Sequence, residues 1–253
     1  MGIHGNKPNE HPAQKLWTFK EIFAGRGQLT GEFRRNKKSL VGSPIEINQR
    51  GKKSKFHDLL HDRTFDRLCT LAKQPRQFWH FGLPCGSFSI MQNMNQGSRS
   101  QEKPEGNGLL ERELLGNELL SRTVYLCRLL HSHGSFFIIE NPQSSYAWKM
   151  PSMISLLKDT HAQTVVLDQC EYGLKIPDKS GELALAKKGT IFAGTLPKLE
   201  RLSKRCSKNH AHAQVIGTAK AHGKWQKRSA LAGAYPTNLC RAYHRCCTSL
   251  FAL

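Results

Sequence analysis

Acidic side chains and long apolar runs are both scarce in this sequence of 253 residues. It has 19 Asp and Glu against 38 Lys and Arg, which gives a formal net charge of +19 at pH 7. No stretch approaches the run of about 18 apolar residues typical of a transmembrane helix, and the first residues lack the apolar segment of a signal peptide. Asn6 stands where the myristoylation pattern that starts at Gly2 requires Ser or Thr. We therefore expect no membrane span, secretory leader or myristoyl group.

The eight cysteines include no C-x-x-C pair. Without a sign of secretion, they are expected to be reduced thiols of an intracellular protein, nuclear in a eukaryotic host and cytoplasmic otherwise. The excess positive charge indicates a polyanionic partner, with nucleic acid favoured over an anionic membrane surface. Residues 34–55 carry eight Lys and Arg against one acid, and residues 187–228 carry eleven against one. These segments are either polyanion-binding surfaces or solvated basic faces.

Strand-like and helix-like patterns alternate along the chain from Trp17. Apolar side chains recur at helical spacing in residues 62–73, and residues 136–139 form the continuous apolar run of a central parallel strand. The alternation predicts an α/β fold, with a mostly parallel central sheet and helices on both faces. The predicted strands are 17–23, 40–47, 78–81, 136–139 and 164–167, with an edge strand at 191–193. The first predicted helix follows Gly27, and the next three cover residues 62–73, 109–131 and 152–158. The last predicted helix begins at Pro236.

A glycine turn, Gly25-Arg26-Gly27, follows the first predicted strand and opens the first helix. Glycines at such a turn let the backbone approach a cofactor closely. Glu46 comes 19 residues after Gly27, where a carboxylate can accept hydrogen bonds from two ribose hydroxyls. Asp58 is a candidate for contact with an adenine amino group. Because the turn lacks the third glycine of a dinucleotide fingerprint, an ordinary turn is the alternative.

Cys85 ends the segment Gly-Leu-Pro-Cys at the carboxyl end of a predicted strand, where open α/β sheets bind their ligands. A thiolate there would be a good nucleophile if nearby positive charge lowered its pKa, and a buried structural cysteine is the alternative. The polar segment over residues 91–108 follows directly and contains three glycines. Its length and composition are typical of a disordered loop or a functional lid.

Glu140 and Asn141 follow the apolar strand 136–139, again at a carboxyl end. A buried glutamate needs a partner, and a ring nitrogen of a substrate could provide one. Burial would favour the protonated carboxyl group, which can donate a proton at neutral pH. A carboxylate that caps a nearby helix is the alternative.

In this order, the three motifs resemble those of the cytosine-5 DNA methyltransferases, a Rossmann-like family. The resemblance covers residues 17–245 and is to a short, divergent member. It is carried by FAGRGQL (Phe23 to Leu29), GLPCGSFS (Gly82 to Ser89) and IIENP (Ile138 to Pro142), with DQCEYGLKIP (Asp168 to Pro177) and the segment Ala232 to Pro236 as weaker matches.

The resemblance implies transfer of a methyl group from S-adenosylmethionine to carbon 5 of a cytosine in DNA. The thiolate of Cys85 would attack carbon 6 of a flipped-out cytosine, Glu140 would bind ring N3, and Asn141 is the third catalytic residue. The loop over 91–108 would close over the nucleotide. The residues implied to bind the cofactor are Phe23, Ala24, Gly25, Gly27, Gln28, Leu29, Glu46, Ile47, Asp58 and Pro84. Those implied to bind nucleic acid are Ser87, Ser89, Lys187, Lys188, Lys204 and Arg205.

The implied organisation has four parts. They are a disordered tail (1–15), a Rossmann-like methyltransferase domain (16–195), a small basic insert that reads the target (196–230) and a C-terminal helix that packs back on the catalytic domain (231–253). The family's Gln-x-Arg-x-Arg segment is not recognisable after Pro177, although Lys187 and Lys188 could fill part of its role. Two alternatives therefore stay open: methylation of RNA cytosine, and a nucleic-acid-binding protein of this fold without catalytic activity.

Cys206, His210 and His212 form a cluster in the basic C-terminal quarter, with Cys170 as a candidate fourth ligand. Zinc takes such ligands in a tetrahedral arrangement. The spacing matches no standard zinc finger, and histidines are common on basic surfaces. The sequence therefore predicts no resident metal, with zinc at this cluster as the alternative.

Overall fold

The computed structural model of the protein describes residues 16–49, 52–221, 223–248 and 250. The predicted tail over residues 1–15 lies outside the described residues. The strands are β1 (Thr18–Ile22), β2 (Leu40–Val41), β3 (Asn48–Gln49), β4 (Lys52–Lys53), β5 (Gln77–Gly82), β6 (Phe136–Pro142), β7 (Gln163–Asp168), β8 (Lys175–Pro177), β9 (Leu183–Leu185), β10 (Gly189–Gly194), β11 (Thr218–Ala221) and β12 (Lys224–Lys227). The α-helices are α1 (Gln28–Asn36), α2 (Asp62–Ala72), α3 (Glu111–Ser132), α4 (Pro151–Asp159), α5 (Arg228–Leu231) and α6 (Thr237–Cys247).

Six strands form the central sheet in the order β2-β1-β5-β6-β10-β7. Strands β2, β1, β5 and β6 pair in parallel, and β10 is antiparallel to both of its neighbours, β6 and β7. Because β6 and β7 both oppose β10, β7 runs in the same direction as the other parallel strands. The predicted α/β fold class with a mostly parallel, Rossmann-like sheet is confirmed.

Helices cover both faces of this sheet. Trp79, Phe137 and Ile139 are buried in one apolar cluster with side chains from α2, α3 and α4. Phe78 and Ile138, which alternate with them along β5 and β6, are buried in a second cluster with side chains from α1 and α6. Successive side chains of a strand point to opposite faces, so the continuous apolar run of β6 is explained by burial on both sides.

Three elements differ from the sequence-based expectation. Residues 191–193, predicted as an edge strand, lie inside β10 between two neighbours, because tertiary pairing decides where a short apolar run is placed. The predicted strand over 40–47 shrinks to β2 and an isolated bridge at Ile45, since Pro44 cannot donate to a ladder. On α3, the helical spacing of the leucines predicts one buried stripe through Leu115, but Leu115 is 44% exposed and Leu120 is buried instead.

The basic segment over residues 187–228 is packed in the apolar core as far as Leu202, and the chain then leaves the core. Leu199 and Leu202 pack in the same apolar cluster as α6. The hairpin of β11 and β12 lies outside the six-stranded sheet. Ala213, in the segment before β11, forms a bridge with Ala186, the residue after β9. Among the described residues, no helix has both the length and the apolar character needed to cross a bilayer.

Gly194, at the end of β10, lies against the backbone of β6, so a substitution there tests how closely the two strands approach. A Cβ added there would clash with the carbonyl oxygen of Phe137 and lie 2.8 Å from the Cα of Ile138. Because backbone atoms cannot move aside, Gly194→Ala should lower the free energy of unfolding by about 3 kcal/mol.

The matched control is Gly31→Ala in α1, where a new Cβ would meet the Arg35 side chain at 3.7 Å. It should raise the free energy of unfolding by about 0.5 kcal/mol, since alanine favours a helix interior over glycine. Chemical denaturation of both variants measures these changes. A Gly194→Ala protein as stable as the parent would contradict the packing of β10 on β6.

Candidate active site

Two of the three predicted catalytic side chains meet at one edge of the sheet, because Cys85 follows β5 and Glu140 lies near the end of the neighbouring strand β6. The sequence placed Glu140 and Asn141 after a strand that ends at residue 139, but β6 extends to Pro142 because its last residues pair with β10. In the parallel ladder of β5 and β6, Gly82 is paired with Glu140, and Cys85 comes three residues after Gly82. Asn141 is completely buried, and its Nδ2 donates a hydrogen bond to the carbonyl of Leu83 at 2.7 Å. Asn141 therefore ties the loop that carries Cys85 to β6, which is a positioning role.

Opposite charges act on the thiol of Cys85. Burial raises its pKa, the negative charge of Glu140 raises it further, and the positive charge of Lys188 lowers it. Lys188 Nζ lies 3.7 Å from Glu140 Oε1. Lys188 was predicted to contact nucleic acid, and the structure places it against the catalytic pair. We call Cys85, Glu140 and Lys188 the catalytic cluster, a name that reflects the role expected for Cys85 and Glu140.

The two carboxylate oxygens of Glu140 have different surroundings. Oε2 accepts a hydrogen bond from the hydroxyl of Tyr235 at 3.0 Å. Oε1 is buried and, apart from the ion pair with Lys188, has no hydrogen-bond donor among the described residues. A buried carboxylate oxygen without a donor is costly, so it marks a position for a donor group from a ligand.

A directed chain of hydrogen bonds leads from α6 to Glu140. The hydroxyl of Tyr235 lies 3.1 Å from His80 Nε2, and His80 Nδ1 lies 3.0 Å from the hydroxyl of Tyr243. Burial lowers the pKa of His80 to about 3, so its ring is neutral near pH 7, with one donor and one acceptor nitrogen. Because Tyr235 donates to Glu140, it accepts from His80 Nε2, and His80 Nδ1 accepts from Tyr243.

Sequence reasoning missed all three members of this chain as site residues. Tyr235 lies in the segment 232–236, which was only a weaker match to the methyltransferase motifs, and the structure places its hydroxyl against the carboxylate of Glu140. His80 offered one signal, a titratable side chain inside an otherwise apolar strand. A buried imidazole of this kind needs two partners, and both are tyrosines that are distant in sequence.

The glycine turn borders a cavity of about 750 Å³. Gly25 and Gly27 have φ of +52° and +64°, and a Cβ added to either would meet no atom of the described residues within 4 Å. The N–H of Gly25 donates to Glu46 Oε2 at 2.8 Å. The lining includes the predicted residues Ala24, Gly25, Gly27 and Glu46, together with the cations Lys20, Arg26, Arg34 and Arg67.

The other predicted cofactor residues are placed elsewhere. Leu29 packs in the core beside Phe33, and Asp58 Oδ1 accepts a hydrogen bond from the N–H of Leu60 within its own turn. Pro84 is exposed on the loop that carries Cys85. Within the described part of the chain, the predicted residues that do not line the cavity are Phe23, Gln28, Leu29, Ile47, Asp58 and Pro84.

The polar segment over residues 91–108 is fastened by a buried arginine that the sequence did not single out. Arg99 is 2% exposed, and its guanidinium donates to the carbonyls of Ser87 and Glu113, both at 2.9 Å, and lies 4.0 Å from the centre of the Phe88 ring. Ser89, like Ser87, is used inside the loop, since its Oγ accepts from the N–H of Met91. Arg99 therefore fastens this segment to the start of α3.

Three of the cations predicted to bind nucleic acid flank the same sheet edge. Lys187 is exposed and precedes β10, which begins beside the end of β7. Lys204 lies over the ring of Tyr172, and Arg205 Nε is 3.2 Å from Asp168 Oδ2. These side chains place positive charge near the end of β7, on the sheet edge that also carries Glu140.

We compared the chain with protein-family models, curated proteins and solved structures. No protein-family model and no curated protein matches the chain. The crystal structure of the S. pombe Dnmt2 methyltransferase is similar, with a TM-score of 0.41 and 11% sequence identity. The match covers 79% of this chain and 58% of that chain, so this chain aligns with a little over half of that methyltransferase. A likeness at this level establishes neither a family nor an activity.

The opposing charges around Cys85 predict how its thiol reacts. Glu140→Gln removes the charge that raises the pKa of Cys85, so more thiolate forms at neutral pH and iodoacetamide should react several-fold faster. Lys188→Met should slow the reaction, because it removes the charge that lowers this pKa. Peptide mass spectrometry measures both rates, with Cys69 as the internal reference. Unchanged rates at Cys85 in both variants would contradict the proximity of these charges.

Proposed function

We propose that the protein is an S-adenosylmethionine-dependent methyltransferase that acts on carbon 5 of cytosine in DNA. The observation that carries the proposal is the convergence of Cys85 and Glu140 at the ends of adjacent parallel strands. A nucleophile beside a carboxyl group is what addition to an electron-poor ring requires. The motifs around both residues resemble those of the cytosine-5 methyltransferases, and this resemblance supplies the reaction type.

The cavity beside the glycine turn fits the cofactor. Glu46 is held at the rim by Gly25 and would accept hydrogen bonds from the ribose hydroxyls. The open space above Gly25 and Gly27 leaves room for close approach to the backbone, and Arg26 would face the carboxylate of the methionine part. S-adenosylmethionine, when bound, supplies an electrophilic methyl group for carbon 5 of cytosine.

The catalytic cluster can activate the ring. Lys188 favours the thiolate of Cys85, whose sulfur forms a bond to carbon 6. The electron pair of the carbon 5–carbon 6 double bond moves through carbon 5 and carbon 4 toward ring N3. The carboxyl group of Glu140 would give N3 a proton from Oε1, which has no hydrogen-bond donor among the described residues. After carbon 5 is methylated, a base removes the carbon-5 proton, and the freed electron pair re-forms the carbon 5–carbon 6 double bond. The bond from sulfur to carbon 6 breaks, which restores the thiolate of Cys85, and ring N3 returns its proton to Glu140.

The surroundings of the cluster suit a nucleic acid. A stacked cytosine cannot reach a buried carboxylate, so the base must leave the duplex. Lys187, Lys204 and Arg205 flank the edge and would bind the phosphates on either side of it. Binding should therefore weaken steeply as the salt concentration rises.

Incubation with methyl-labelled S-adenosylmethionine and duplex DNA tests the proposal, with the product nucleoside identified by mass spectrometry. We expect 5-methylcytosine, and a loss of at least about 10³-fold in rate for Cys85→Ala. Cys69→Ala, a half-buried thiol outside the cluster, is the matched control and should keep full activity. Transfer that survives Cys85→Ala would refute the nucleophile, and transfer to RNA alone at matched salt would refute DNA as the substrate.

Tyr235→Phe tests the positioning of Glu140. It removes the hydroxyl that holds Oε2, so the carboxyl group loses its fixed orientation, and kcat should fall by about 10- to 100-fold. KM for the cofactor should not change, because Tyr235 does not line the cavity in the described part of the chain. Tyr125→Phe, on the exposed face of α3, is the control. An unchanged kcat for Tyr235→Phe would contradict the role of this chain of hydrogen bonds.

A further inference from the structure

Four side chains that are far apart in sequence meet next to the end of β7. Cys170 lies in the turn after that strand, and Cys206, His210 and His212 lie in the basic segment that leaves the core. One ligand atom from each of the four lies within 4.8 Å of the other three. Cys206 Sγ is 3.4 Å from His212 Nε2 and 3.8 Å from His210 Nε2.

These distances are those of a closed tetrahedral site. Zinc bonds of about 2.3 Å to sulfur and about 2.0 Å to nitrogen place neighbouring ligand atoms about 3.3 to 3.8 Å apart. Both distances from Cys206 Sγ fall at or within this range. Small rotations of the side chains would bring the ligand-atom distances that are longer, up to 4.8 Å, into the same range.

The partner of His210 fixes which ring nitrogen faces the cluster. His210 Nδ1 lies 2.9 Å from the side-chain oxygen of Asn209, which accepts hydrogen bonds. The proton is therefore on Nδ1, and the lone pair of Nε2 points toward Cys206. Resident metal sites commonly hold their histidines in this way, with the second ring nitrogen bonded to an oxygen.

The loop that carries Cys206 is held on the end of β7 and the turn after it by hydrogen bonds to two acidic side chains. The N–H of Cys206 donates to Asp168 Oδ2 at 2.9 Å, and the N–H and Oγ of Ser207 donate to Glu171 Oε1 at 2.8 and 2.9 Å. The N–H of Lys208 lies 3.4 Å from Cys206 Sγ and donates to it. The sulfur is thus oriented before any metal arrives.

We propose that Cys170, Cys206, His210 and His212 bind one structural Zn²⁺. Two thiolates and two imidazoles fill all four positions of a tetrahedral ion, which leaves none open for a substrate. Binding releases the two thiol protons, and the charges of the two thiolates balance that of the ion. Sequence spacing counted against this site, because Cys170 is supplied by a separate element and the other three ligands follow no standard pattern.

The site would fix the basic segment beside the catalytic cluster. Cys170 lies next to Gln169, whose N–H donates to the carbonyl of Lys188 at 3.1 Å. The metal would therefore join the segment after Leu202 to the sheet edge at which Lys188 contacts Glu140. Its loss should loosen this segment and leave the two apolar clusters of the sheet in place.

Metal analysis of the whole purified protein tests the proposal. We expect about one zinc per chain by mass spectrometry, retained after dialysis. Alanine at any of the four ligands should reduce this content at least several-fold. Cys69→Ala and His131→Ala are the matched controls, each a cysteine or histidine outside the cluster, and should keep the metal. A parent protein that holds no zinc after purification and after addition of zinc chloride would overturn the proposal.

Substitution with Co²⁺ separates ligation from folding. The whole protein loaded with Co²⁺ should show the strong visible bands of tetrahedral coordination and a thiolate charge-transfer band. Cys206→His should keep a bound metal and lose about half of the charge-transfer intensity, because one of two thiolates is replaced. A spectrum without the thiolate band in the parent, or an unchanged band in Cys206→His, would contradict the site.

Discussion

The carboxylate of Glu140 is almost completely removed from water, and the rest of the site is built around it. A buried charge of this kind costs several kcal/mol unless partners compensate for lost hydration. Tyr235 compensates one oxygen by a hydrogen bond and Lys188 faces the other as an ion pair. Because Lys188 donates no hydrogen bond to Oε1, the carboxylate keeps an unused acceptor position, and its charge acts on the thiol of Cys85.

The topology of the sheet explains why these groups meet. Parallel strands β5 and β6 end at the same edge and deliver Cys85 and Glu140 there. Strand β10 runs the other way between β6 and β7, so it begins at the edge where they end, with Thr190 opposite Pro142. The residue before β10 is Lys188. An antiparallel strand inserted into a parallel sheet thus brings a cation to the carboxyl ends of the others.

Local sequence signals identified residues at or near the carboxyl ends of strands, and these account for Gly25, Glu46, Cys85 and Glu140. They could not identify Tyr235, since its contact with Glu140 joins residues 95 positions apart in sequence. The position of β10 in the sheet could not be predicted either. It depends on pairing with β6 and β7, and the sequence of the strand has no pattern that specifies these partners. Buried polar groups are satisfied by tertiary partners, so they are the least visible part of a site in a single sequence.

Cytosine-5 chemistry at Cys85 is tested most directly by a duplex that contains 5-fluorocytosine. Fluorine replaces the carbon-5 hydrogen, so the final elimination is blocked and the bond between sulfur and carbon 6 persists. The account predicts a covalent adduct that forms in the presence of S-adenosylmethionine and maps to the peptide of Cys85. Binding of both DNA and cofactor without such an adduct, or an adduct at another residue, would contradict it.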